Sequence, residues 1–413
     1  MACDPTFGTM KQVLLSLALV VSPALVRAQN PVIQGILDAV SIDSMMLYVS
    51  ELSGELPVDL GSGPVTIASR HTNNAGNALA QAYLEQKLVQ FGYAPEIQTF
   101  SATGRNILAT KTGTTFSDEV VILCAHYDAM PAGIMDAPAA DDDGSGVAAV
   151  LEMARLVQAI DFEYTIVFAL WDEEEQGKVG SEFYAGVMAA NDAVIKGVVN
   201  MDAIAYDGNG DTKARIHTRP IANSFALADT VFAMREDYGI DLDLLLTNPG
   251  ATYSDHASFW TEGYGAILVI EEFGADGNPY YHTPNDRVQY FDVPYYEKLA
   301  KLSMATAAAL AIPSGGVQAV PDERDASSLA LYAYPNPTST DTQIWLETTV
   351  VGNYRVRLGD VMGRTTTTIQ EGLLATGKQA FMVPLAALAP GAYLVSVEGP
   401  QGIRKSLRVV RTP

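Results

Sequence analysis

The chain has 413 residues, 48% apolar and 18% charged, with a formal charge of −23. That length predicts more than one hydrophobic core, and the composition excludes a disordered chain. The charge is uneven: from Ser327 onward 8 Lys and Arg meet 5 Asp and Glu, a balance of +3, which leaves −26 for the rest. A domain boundary is therefore predicted near residues 315–330. So acidic a body repels polyanions, which argues against a nucleic-acid partner.

In chain order, Lys11 precedes an apolar run at residues 13–21, then Pro23 and the small-residue ending Val26-Arg27-Ala28. This pattern predicts a secretory signal peptide over residues 1–28, cut after Ala28. The run is shorter than the roughly 20 residues a membrane-spanning helix requires, and no such span is predicted in the mature chain. Of the two cysteines, Cys3 would leave with the signal, so Cys124 has no partner for an intrachain disulfide. Residues 29–75 hold amphipathic stretches at 33–37 and 45–52 between Gly/Pro-rich turns, a leader or an N-terminal cap. Helical spacing over residues 77–91, closed by Gly92, predicts a helix. Short β-branched runs at 120–123, 165–170, 198–199 and 267–270 predict buried strands, and residues 147–156 repeat at helical period between the first two. Strand–helix–strand alternation predicts an α/β domain over residues 76–313, with helices sandwiching a largely parallel or mixed central sheet.

Beyond Pro313, a Gly- and Ser-containing polar stretch predicts a linker at 314–330. Alternating runs at 343–347, 354–358, 380–383, 393–397 and 406–410 then predict a small C-terminal β-sandwich over residues 331–413.

In open α/β sheets, ligands bind at the carboxyl ends of strands. The strand at 120–123 runs into His126-Tyr127-Asp128, and the next connection holds Asp141-Asp142-Asp143-Gly144-Ser145-Gly146. The strand at 165–170 leads to Asp172-Glu173-Glu174-Glu175-Gln176-Gly177, the one at 198–199 to Asn200-Met201-Asp202, and the one at 267–270 towards Tyr281-His282-Thr283. So many carboxylates in one crevice resist ionisation unless cations neutralise them. Imidazole and carboxylate donors without thiolates suit zinc in an open, catalytic site. No His-Glu-x-x-His helix, Gly-x-Ser-x-Gly elbow or Gly-rich phosphate loop is present.

These five motifs, in this order over roughly residues 76–313, resemble the secreted bacterial aminopeptidases with two co-catalytic zinc ions, of the Streptomyces and Vibrio leucine type. The resemblance implies His126 and Asp202 as ligands of one ion, Glu175 and His282 as ligands of the other, and Asp142 as the bridge. It further implies Asp128 behind His126, Glu174 as the general base and Tyr281 as the phenol that steadies the oxyanion. The acidic run 172–175 admits two registers, and the alignment rests on the Glu-Glu-x-Gly-x-x-Gly-Ser frame that continues to Ser181. The run of three Asp leaves a similar one-residue choice. Tyr334-Pro335-Asn336-Pro337 and Pro390-Gly391-Ala392-Tyr393 resemble the C-terminal sorting domain of type IX secretion. It implies passage through the periplasm to the medium or cell surface by that machinery. The expected substrates are peptides with free N-termini. A glutaminyl-cyclase-like acyltransferase, a carboxypeptidase on the same fold and a non-catalytic surface-binding protein are the competing readings.

Overall fold

The structure, a computed structural model, describes Met1 and residues 29–130, 134–274, 276–314, 329–334, 338–360, 365–400 and 404–412. The predicted signal segment, most of the predicted linker and Pro335-Asn336-Pro337 lie outside the described residues.

Two helices open it, α1 (Pro31–Ala39) and α2 (Ile42–Leu52). Asn30 accepts the Val32 N–H and Ser41 the Ser44 N–H, satisfying amide groups that helix starts leave unpaired. Ile33, Ile36 and Leu37 of α1, and Met45, Val49 and Leu52 of α2, are buried in the main core. A two-residue pair, β1 (Val58–Asp59) and β2 (Pro64–Val65), precedes α3 (Ala75–Gln90). Gly92 follows at a φ of 94, a left-handed position that glycine fills without strain.

The chain then runs β3 (Glu96–Thr99), β4 (Arg105–Lys111), β5 (Phe116–His126), α4 (Gly144–Val157), β6 (Asp161–Phe162) and β7 (Tyr164–Trp171). Next come α5 (Val179–Ala190), β8 (Val194–Met201), β9 (Lys213–His217), α6 (Ser224–Asp237) and β10 (Asp243–Thr247). The order closes with α7 (His256–Thr261), β11 (Ala266–Glu271), α8 (Val293–Ala311) and β12 (Pro313–Ser314), the last pairing with β6.

Eight strands form one mixed sheet in the order β10-β9-β11-β8-β5-β7-β4-β3. The middle four, β11, β8, β5 and β7, are mutually parallel, while β9 and β4 join them antiparallel. The four apolar runs of the sequence are these middle strands. Along β5 the side chains alternate between two cores. Val121, Leu123 and Ala125 face one packed by α4 and α8, whereas Ile122 and Cys124 face one shared with Tyr184 of α5 and Phe259 and Trp260 of α7. Burial on both faces removes the polar alternation of a half-exposed strand. The flanking strands β3 and β10 carry partly exposed residues, and their runs gave no such signal.

Two units divide between residues 316 and 317. The second has two antiparallel sheets. One is β13 (Leu329–Tyr334), β14 (Thr342–Thr348) and β17 (Gly377–Val383). The other takes β15 (Gly352–Asp360), β16 (Thr365–Leu374), β18 (Gly391–Glu398) and β19 (Arg404–Arg411). One apolar cluster containing Ile344, Leu346, Val356, Val395 and Val409 draws on both sheets. Among the described residues, no single helix is long and apolar enough to cross a membrane.

Candidate metal centre

Because β5, β7, β8 and β11 are parallel neighbours, their carboxyl ends release the chain on one edge of the sheet. His126 ends β5, Asp202 follows β8, and the turn after β7 carries Glu174 and Glu175. The connection from β5 to α4 supplies Asp142, and the loop after β11 supplies His282.

His126 Nε2 lies 3.2 Å from Asp142 Oδ1 and 3.8 Å from Asp202 Oδ1. His282 Nε2 lies 3.0 Å from Asp142 Oδ2 and 3.1 Å from Glu175 Oε1. Two groups of donor atoms result, His126/Asp142/Asp202 and Asp142/Glu175/His282, each within 4.8 Å of one another, with Asp142 in both. Asp142 Oδ2, Glu175 Oε1 and His282 Nε2 are buried, yet none makes a hydrogen bond. Buried polar atoms are normally paired. Three that face each other without hydrogen-bond geometry fit a cation between them, and nitrogen and carboxylate oxygen donors suit zinc.

The neighbouring acids are engaged elsewhere. Asp143 Oδ1 accepts the Gly146 N–H at 2.9 Å, capping α4, and its Oδ2 accepts the His126 N–H at 3.1 Å. Asp141 accepts from the Ala205 N–H and the Asn278 amide at 2.9 and 3.0 Å. Glu173 Oε1 takes the hydroxyls of Ser101 and Thr103, both at 3.2 Å. The turn geometry thus separates the members of each acidic run that sequence alone left in adjacent registers.

Asp128 links two parts of the site. Its Oδ1 is 3.4 Å from His126 Nδ1, and its two oxygens accept the N–H groups of Glu174 and Glu175 at 3.1 and 3.2 Å. Tyr281 is exposed, its ring stacked on His282 at 3.8 Å between centroids.

The electrostatics show how much negative charge is confined here. Burial pushes Glu174 well above the carboxylate range; His126 opposes that, and Asp255, Asp202 and Glu175 add to it. Burial, then Asp142, lifts Glu175 to about 8 against the contact with His282. Burial disfavours the charged form of His282, but Asp142 and Glu175 outweigh it and raise the imidazole to about 10. Burial disfavours the Asp142 anion, yet His126 and His282 hold its pKa well below the ordinary carboxylate range.

Two supporting residues, Asp286 and Arg70, gave no signal in the sequence. Asp286 accepts the N–H groups of Asp141 and Asp142 at 3.0 and 3.1 Å, and stands four residues after His282. Arg70, wholly buried, donates to the carbonyls of Tyr127, Leu52, Pro138 and Ala139 at 2.7, 3.2, 2.5 and 2.7 Å. Ser254 accepts from the Asn200 amide at 2.8 Å. Cys124 and His217 are buried outside the donor groups.

Fold and donor set together give an α/β domain whose sheet edge gathers carboxylates and imidazoles that could hold a metal ion. Residues 106–307 match the model of Peptidase family M28, and residues 332–410 match that of a secretion system C-terminal sorting domain. A sorting domain of this kind marks a secreted or cell-surface protein. Among the relatives, a probable leucine aminopeptidase of Trichophyton verrucosum is 31% identical over 212 residues, covering 48% of this chain and 55% of that protein. Leucine aminopeptidase 1 of Paracoccidioides brasiliensis is 30% identical over 226 residues, covering 51% and 57%. The chain thus spans a little over half the length of the curated relatives it matches. In fold it is similar to the Legionella pneumophila LapA aminopeptidase, with a TM-score of 0.59 and 22% identity over 71% of this chain and 78% of that one. A glutaminyl cyclase of Porphyromonas gingivalis is also similar, with a TM-score of 0.53 and 19% identity over 65% and 98%. One fold therefore serves both, and the fold alone does not choose between them.

Proposed function

We propose that the first unit is a secreted aminopeptidase that holds two zinc ions and releases N-terminal residues from peptides. The observation that carries this reading is the pair of three-residue donor groups that share Asp142. His126 and Asp202 would hold one ion, Glu175 and His282 the other, and Asp142 would bridge them. Zinc bound there supplies Lewis-acid stabilisation of the negative charge that develops at the carbonyl under attack.

The chain's own groups do the rest. Glu174, buried and high in proton affinity, accepts a proton from the attacking water and returns it to the leaving amine. Tyr281, beside His282, donates its phenolic hydrogen to the carbonyl oxygen as that oxygen gains charge. Asp128 fixes the ring of His126 and, through the N–H groups of Glu174 and Glu175, the position of that turn relative to it. The sorting domain delivers the enzyme from the periplasm through the type IX secretion machinery.

Zinc per chain measured on the purified full-length protein, with kinetics on leucyl-4-nitroanilide and its N-acetylated form, tests the proposal. Close to two zinc ions and cleavage of only the unblocked compound are expected. A single zinc, even after zinc addition, with cyclisation of N-terminal glutamine in place of hydrolysis, would overturn it.

A further inference from the structure

The sheet register leads from the donor groups to an ion pair that the chemistry above does not use. Along β8, Val199 and Met201 face the core under α4 and α8, so Asn200 and Asp202 point to the opposite face. Along β9, Ala214 and Ile216 face that same core, which turns Arg215 and His217 to the side of Asp202. Between them runs β11, with Met201 level with Val269 and Arg215 level with Ile270. The Asp202 N–H donates to the Val269 carbonyl at 3.3 Å, so Asp202 continues the course of β8 and stands at the height of Ile270. Asp202 and Arg215 therefore share one face and one height, with only β11 between them. Two strand spacings put their backbones about 10 Å apart.

Ring contacts reach the same place from His282. Tyr281 is stacked on His282, Phe273 meets Tyr281 edge-on at 5.1 Å between centroids, and the residue before Phe273 is Glu272. Glu272 is the partner of Arg215: its Oε1 accepts from Nε at 2.8 Å and also from Nη2. Among the described residues, Glu272 Oε2 has no hydrogen-bond partner, and Arg215 Nη1 has only Thr247 Oγ1 at 3.4 Å. Both side chains are partly open, Arg215 at 31% and Glu272 at 12% exposure. The pair thus presents a carboxylate oxygen and spare guanidinium N–H groups beside one another.

On the aminopeptidase reading, Glu174 returns a proton to the leaving amine, and it follows β7, on the side of β5 away from β8. The leaving group then lies towards β7, and the N-terminal residue towards β8, β11 and β9. Its side chain meets Arg215 and Glu272. An aliphatic side chain there strips water from two charges and returns no hydrogen bond. An ionised side chain meets its own sign on one of the two partners. A carboxamide suits both, its NH2 donating to Glu272 Oε2 and its oxygen accepting from Arg215.

Resting on that reading, we propose that Arg215 and Glu272 set the substrate class, and that the enzyme favours peptides beginning with glutamine or asparagine. The measurement is kcat/KM of the full-length enzyme on the 4-nitroanilides of glutamine, methionine, glutamate and lysine, side chains of similar reach but different polarity. The wild type is expected to prefer the glutaminyl over the methionyl compound by about tenfold or more, the scale of a hydrogen bond to a charged group. Arg215→Met, which leaves Glu272 unpaired, should move the preference to the lysyl compound. Glu272→Gln, which leaves Arg215 unpaired, should move it to the glutamyl compound. A purely structural role would instead lower all four rates together. The double variant Arg215→Met/Glu272→Leu leaves no unpaired charge and should favour the methionyl compound; it serves where a single variant has lost its thermal unfolding transition. Wild-type preference for any compound but the glutaminyl one, or an order of the four that no variant changes, would overturn the proposal. Release of nitroaniline from none of the four would instead sink the aminopeptidase reading, and ammonia from the glutaminyl compound would then mark a cyclase.

Discussion

Glu174 and Glu175 are adjacent on one turn, and both backbone N–H groups are held by the same carboxylate, Asp128. Their side chains part from there: Glu175 meets His282 and Asp142, while Glu174 answers to His126, Asp255 and Asp202 through space. If Glu174 is the acid–base group, Glu174→Gln keeps the zinc content and fold of the wild type but loses about 10²–10⁴-fold in kcat. Glu175→Gln should lose zinc, with activity partly restored by added metal. Metal analysis beside kcat on the same preparations distinguishes them. Zinc lost from Glu174→Gln and retained by Glu175→Gln would shift the register by one residue.

At the scale of the element, the segment before α3 is part of how the site is held. Ser69 and Ala137 form a β-bridge, with the Arg70 N–H donating to the Ala137 carbonyl at 3.3 Å. The Arg70 side chain then gathers carbonyls from the end of α2, from the residue after β5 and from the two residues just before Ala140. A guanidinium suits this place because five N–H donors in a fixed plane can serve several acceptors at once. Arg70→Met leaves those buried carbonyls without donors, and an unsatisfied buried polar group costs about 1–3 kcal/mol. Urea unfolding of metal-free protein should show a loss of about 3 kcal/mol or more, with Arg70→Lys losing less. An unchanged midpoint would mean that the loop is held by Asp286 and the β-bridge alone.

For the whole molecule, the two units keep separate apolar clusters: no residue of the cluster around Ile344 and Val395 belongs to the clusters that flank the large sheet. Removing residues 327–413 should therefore leave kcat/KM on leucyl-4-nitroanilide and the thermal midpoint of the first unit unchanged. In its own host, the shortened protein should stay in the periplasm. Normal appearance in the medium would show that the C-terminal unit does not direct export, whereas loss of activity would show that the first unit depends on it.

Elements whose chemistry is local are legible along the chain. The four central strands were legible because burial on both faces demands unbroken apolar, β-branched runs. Helices α3 and α4 were legible from their period, and the carboxylates and imidazoles that cluster at the sheet edge from their place just beyond strand ends. In the C-terminal unit, the alternating runs marked five of seven strands. Features that depend on residues distant in the chain emerge only once it has folded. That Asp142, rather than Asp141 or Asp143, faces both imidazoles follows from hydrogen bonds made by Ala205, Asn278, Asp286 and the α4 amide groups. The packing of α1 and α2 into the main core and the carbonyls gathered by Arg70 are likewise invisible along the chain. Each depends on partners 18 to 69 residues away in the case of Arg70, and no local period or spacing encodes a partner brought near only when the sheet has formed.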